Sequence, residues 1–128
     1  MDTTPNYVKM CEKAEEIQSL KKIKAITAYR LVCGEIIDED GNYIIEVEKP
    51  IPDIQGYYYV WLPRQDQLQA MMGEELYQLL GGFDRWLLKM LYEKDSDLYS
   101  SMEQLWLTFV MHQKFGKTWN SKKEEWVV

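Results

Sequence analysis

Histidine is nearly absent from this 128-residue sequence, and cysteine and proline are sparse: His112 stands alone, beside two cysteines and four prolines. A lone histidine has no i, i+4 partner for a metal and no nucleophile next to it, so His112 reads as a solvated residue on the outer side of the last helix. Cys11 and Cys33 have no C-x-x-C spacing and no second thiol pair, which favours free, reduced thiols in the interior over a disulfide. No apolar run approaches the ~20 residues that span a bilayer, and Met1-Asp2-Thr3-Thr4-Pro5 has neither the basic start nor the apolar stretch of a secretory signal. The expectation is a cytoplasmic protein with no membrane segment. G-x-S-x-G, Walker-type, H-E-x-x-H and zinc-site patterns are all missing, so neither catalysis nor a cofactor or metal is expected.

Acidic residues outnumber basic ones 21 to 15, a net charge of −6. The excess sits in the middle: residues 25–62 hold two basic against seven acidic residues, and 63–98 hold four against seven. Such a chain repels phosphate, and only Lys21, Lys22 and Lys24 or Lys117, Lys122 and Lys123 offer a local basic cluster, which disfavours nucleic acid as the main partner. With 46% apolar residues, including five tryptophans and nine tyrosines, the chain can bury one core, and its length fits a single domain over 1–128.

The pattern predicts an α+β fold: an N-terminal helix, a three-stranded antiparallel meander, and a cluster of about three to four helices. Thr4 and Pro5 form a helix start, and Tyr7, Met10, Cys11, Ala14, Ile17 and Leu20 follow as one stripe. Residues 25–37 read as one strand, with Gly34 as a bulge. Asp38-Glu39-Asp40-Gly41-Asn42 suits a hairpin turn. Asp38, Asp40 and Asn42 alternate as the first ligands of a calcium loop do, but Tyr43 and Lys49 stand where that loop needs glycine and glutamate. Residues 43–49 and 57–62 alternate as further strands, the latter with Tyr57, Tyr59 and Trp61 on one face and Tyr58, Val60 and Leu62 on the other.

Beyond Pro63 the period turns helical. Leu68, Met71 and Met72 mark a short helix that Gly73 ends, and Glu74 and Glu75 suit the first turn of the next, with Leu76, Leu79 and Leu80 as its apolar set. Gly81-Gly82 is expected to break the chain at a tight corner before a stripe of Phe83, Trp86, Leu87, Met90 and Leu91. Ser100 and Glu103 form a capping box ahead of Met102, Leu105, Trp106, Phe109 and Val110, the expected core helix, which Gly116 ends. Trp119 and Trp126 suggest a small hairpin or strap tucked onto the helices.

The densest polar group beside a rigid aromatic strand is Arg64, Gln65, Asp66 and Gln67, next to Trp61. These five residues are the candidate binding surface, for an anionic group or a peptide. A plainer reading has Asp66 meeting the helix-start amides and Arg64 pairing with a neighbouring carboxylate.

Trp61-Leu62-Pro63-Arg64-Gln65-Asp66-Gln67-Leu68-Gln69, then Ser101-Met102-Glu103-Gln104-Leu105-Trp106-Leu107 and Phe109-Val110-Met111, then Gly116-Lys117 and Trp119, resemble a family of small uncharacterised proteins encoded in phages and prophages of Gram-positive bacteria. Tyr7-Val8-Lys9-Met10-Cys11-Glu12-Lys13-Ala14 is similar to that family's opening helix. Residues 25–56 share nothing with it, and Asn120-Ser121-Lys122-Lys123 replaces the short Asp-Gly or Asn-Gly turn between its final tryptophans. The resemblance implies a phage-derived intracellular accessory protein and brings no catalytic residue. The expected function is therefore non-enzymatic interaction with a protein partner, or self-association. The alternative is a nucleic-acid accessory factor in phage replication or host takeover, using the terminal lysines with tyrosines as stacking platforms.

Overall fold

The computed structural model describes residues 1–20, 29–32, 35–38, 41–48, 57–93 and 99–128. Helix α1 (Pro5–Lys13) starts as its sequence requires, with the Thr4 hydroxyl accepting from the Tyr7 amide and proline in the first turn, where no N–H is needed. At Ala14 (φ −84°, ψ 73°) the helix tightens and stops, because the Ala14 amide bonds to Cys11 O, three residues back. A short helix α2 (Glu15–Gln18) follows. Tyr7, Met10, Cys11, Ala14 and Ile17 are buried as their spacing predicts, but Leu20, beyond the end of α2, is exposed. Cys11 is a free, buried thiol whose titration burial pushes far up, whereas Cys33 lies outside the described residues.

The α+β class holds, but the sheet differs from expectation. It is an antiparallel meander of four strands, β1 (Tyr29–Val32), β2 (Glu35–Asp38), β3 (Tyr43–Glu48) and β4 (Tyr57–Leu62), in that order, rather than three. The single strand expected over 25–37 is two: Val32 pairs with Glu35 and Tyr29 with Asp38. The weak alternation of that stretch is the sequence trace of this division, and a strand of thirteen residues would be about twice the usual length. The bulge assigned to Gly34 lies outside the described residues. Across β3 and β4, Ile44 meets Trp61 and Ile45 meets Val60. Ile44, Val60, Trp61 and Leu62 are all buried, so at this end of the strand pair both faces are covered.

Helix α3 (Gln65–Met71) ends before Gly73, whose φ of +62° supplies the left-handed turn that residues with a Cβ resist. Helix α4 (Leu76–Glu93) then runs without interruption, correcting the corner expected at Gly81-Gly82. Glycine in a helix interior costs roughly 1 kcal/mol against alanine, which weakens a helix without ending it when flanking residues pack. Phe83 and Trp86 provide that packing: Phe83 stacks on Trp106 at 4.1 Å and meets Phe109 edge-on at 5.3 Å, and Trp86 lies 5.4 Å from Phe109. The first turn also shifts, since Glu74 and Glu75 precede α4 and the Glu75 carbonyl accepts its first bond, from Leu79.

Helix α5 (Met102–Phe115) is the core helix, with Trp106, Leu107, Phe109, Val110 and Met111 all buried, and Gly116 (φ +64°) ends it. Its cap sits one residue later than expected. Ser101, not Ser100, accepts from the Gln104 amide (3.1 Å), and Gln104, not Glu103, reaches back, accepting from the Ser100 amide at 3.1 Å. A buried carboxylate decides the register: Asp2 accepts from the Ser101 hydroxyl and from Gln104 Nε2 (2.8 Å).

The C-terminal residues form a hairpin, β5 (Thr118–Asn120) with β6 (Glu125–Val127), in which Trp119 pairs directly with Trp126. Trp126 Nε1 donates to Met10 O at 2.9 Å. That carbonyl would ordinarily accept from Ala14, and the early end of α1 leaves it for the indole.

Candidate interaction surface

Two places could act on a partner: the β4–α3 junction and the outer face of α4. At the junction the chain leaves β4 through buried Pro63, whose carbonyl accepts from the Tyr7 hydroxyl at 2.6 Å. Arg64 follows as the residue capping α3. An arginine side chain holds no acceptor, so only the returning half of a capping box forms, with Gln67 Oε1 accepting from the Arg64 amide at 2.9 Å. Gln67 Nε2 donates to Asn42 Oδ1, and Arg64 Nη1 donates to Gly41 O. Arg64 Nε donates to Asp66 Oδ1 at 3.0 Å, and this guanidinium contact holds the Asp66 carboxyl below the ordinary range.

Of the five residues singled out in sequence, Trp61 is buried with its backbone held by Gln18, Arg64 and Gln67 are turned onto Gly41 and Asn42, and Asp66, itself exposed, pairs with Arg64. Gln65 is half-buried on the same helix turn. Arg64 and Gln67 thus clamp Gly41 and Asn42, just before β3, to the start of α3. A shallow depression next to it is lined by Leu20, Trp61, Gln67, Ala70 and Met71. His112 is exposed and contacts Gln113, not Arg64 or Asp66. Among the described residues no group of three or more His, Cys, Asp or Glu is placed to hold a metal ion.

Comparison with models of known families finds none that matches this chain. Curated proteins and solved structures return no match either.

The outer face of α4 was not foreseen. At 100° per residue, Leu79, Phe83, Trp86 and Met90 share one side of the helix, from which Phe83 and Trp86 meet Trp106 and Phe109 of α5. Leu76, Tyr77, Leu80, Leu88, Leu91 and Tyr92 fall within roughly 160° of the other side and are exposed, Tyr77 at 87% and Tyr92 at 90%. Asp84 lies among them. The break expected at Gly81-Gly82 hid this face, because each half of the segment then carried a single apolar set that looked spent on the core. Read as one helix, residues 76–93 are apolar over roughly 240° of the circumference and polar over the arc of Gln78, Arg85, Lys89 and Glu93, a wider apolar band than one core face fills.

A second feature also escaped the sequence. Asp2, Asn6, Ser100, Ser101 and Gln104 form one polar network across α1 and the start of α5, with Gln104 fully buried and Asn6 Nδ2 donating to its Oε1 at 3.2 Å. Residues about one hundred positions apart leave no local pattern to find.

Proposed function

We propose that this chain is a non-enzymatic protein-interaction module whose working surface is the outer face of α4. The observation that carries the reading is the set of six large apolar side chains left exposed along one helix, where scattered single exposures would need no explanation. Of the cations that a nucleic-acid reading would use, Lys117 is engaged within the chain, by Glu16, and Lys21, Lys22 and Lys24 lie outside the described residues. The acidic balance of the chain, −6 overall, supports the protein reading over the nucleic-acid one. No described helix is long and apolar enough to cross a membrane. A phage or prophage origin and a cytoplasmic site belong to the same proposal and rest on the resemblance of the Trp61–Gln69 and Ser101–Met111 segments.

The test is affinity capture from the native host with the wild-type chain and with a Leu80→Gln, Leu88→Gln double variant as baits. The expected result is protein retained by the wild type and lost with the variant. Equal retention by both baits would move the working surface away from α4.

A further inference from the structure

We infer that the occupant of the α4 face is a second copy of this chain, paired through α4 in antiparallel fashion. The inference deepens the interaction reading above and rests on it. Three observations support it.

The first is area. At their observed exposures the six side chains present on the order of 700 Å² of surface. This exceeds the ~300–600 Å² of the largest patch on a typical monomer and approaches the ~800 Å² that each partner contributes to a standard interface.

The second is charge. Helix α4 carries Asp84, Arg85, Lys89 and Glu93, which cancel, within a chain of net charge −6, and of these Asp84 alone lies among the six apolar side chains. Two copies that repel over most of their surfaces can approach across this neutral helix, and a polyanionic partner finds nothing on its outer face to attract it.

The third is shape. In a closed two-fold pairing, where one residue meets a second residue of the other copy, the reverse contact is made as well. Antiparallel pairing about the helix midpoint, between Asp84 and Arg85, sets Gly81 opposite Leu88 of the second copy and Tyr77 opposite Tyr92. A Cβ added at Gly81 would meet nothing within 4 Å, so the fold itself does not call for a glycine there. In the pair, Gly81 is a notch on the exposed face that admits a leucine. Asp84 comes within side-chain reach of Arg85 of the second copy.

Sedimentation of the purified full chain across the micromolar range tests this. The expected result is a dimer whose dissociation constant rises at least tenfold in Leu88→Gln and in Asp84→Arg, with Arg85→Asp restoring pairing in the Asp84→Arg background. Gly81→Gln favours the helix while filling the notch, so it should keep helical circular dichroism intact and still weaken the dimer. A wild-type chain that stays monomeric, or a dimer indifferent to Leu88→Gln and to the charge swap, would overturn the pairing. A monomer that still captures another protein through α4 would overturn it too while leaving the interaction reading in place. Loss of α4-dependent capture together with loss of self-association would remove both.

Discussion

The Gln18 side chain bridges both polar groups of the Trp61 backbone, its Oε1 accepting from Trp61 N at 3.0 Å and its Nε2 donating to Trp61 O at 2.8 Å. A primary amide carries one acceptor and two donors in one plane, so it reproduces what a neighbouring strand would present. β4 is the last strand of the sheet, and α2 thereby covers its outer edge, a place where an unpaired strand invites association with other chains. Gln18→Ala should cost about 1–3 kcal/mol of stability, and Gln18→Glu should also be destabilising, because a carboxylate can accept from Trp61 N but cannot donate to Trp61 O. Denaturant unfolding of both variants and hydrogen exchange at the Trp61 amide check this.

Asp2 should give the fold an acid-sensitive component. Burial pushes its carboxyl up, but bonds from Ser101, from the Thr4 side chain and backbone, and from Gln104 outweigh burial and hold it below its ordinary value of 3.8. A carboxyl depressed in the folded state stabilises the fold above its unfolded value, and that contribution is lost as pH falls through the folded value. Asp2→Asn should flatten this part of the stability profile and cost about 1–3 kcal/mol near neutrality, since its NH₂ cannot accept two of the four bonds. Urea unfolding as a function of pH measures both effects.

Gly82→Ala distinguishes a continuous α4 from a corner. An added Cβ would lie 3.9 Å from Phe109 Cζ, an ordinary contact, so in a continuous helix the substitution should stabilise by about 0.5–1 kcal/mol. A lower melting temperature for this variant would indicate that the chain turns at the glycine pair.

Trp126→Phe keeps an aromatic ring against Trp119, where the indole centroids are 5.1 Å apart, but removes the donor to Met10 O. The expected loss is about 0.5–1.5 kcal/mol, and Trp126→Ala should lose more because the ring contact goes as well. Thermal unfolding of the two variants separates the hydrogen bond from the ring contact.

What the sequence revealed was what short-range chemistry decides. Thr4 and Pro5 start α1, Gly73 and Gly116 end α3 and α5, and Trp106 and Phe109 sit in the core because cap, turn and stripe are local patterns. The division of the expected 25–37 strand leaves little trace because two short β-branched strands in succession look like one. The α5 cap was misplaced by one residue because Asp2, about a hundred residues away, selects Ser101. At the candidate site, Arg64, Asp66 and Gln67 are recognisable as a polar cluster, but the inward turn of Arg64 and Gln67 depends on Gly41 and Asn42 from another part of the chain. The α4 face is masked in the sequence by Gly81-Gly82, a pair that suggests a break where the helix continues.

A photo-crosslinking amino acid placed at Tyr92, with His112 as an exposed control on α5, examines the role of α4 in the cell that makes the chain. The interaction reading expects adducts from position 92 and none from 112, with an adduct of twice the chain mass if the partner is a second copy. No adduct from 92, or equal yields from both positions, would contradict it.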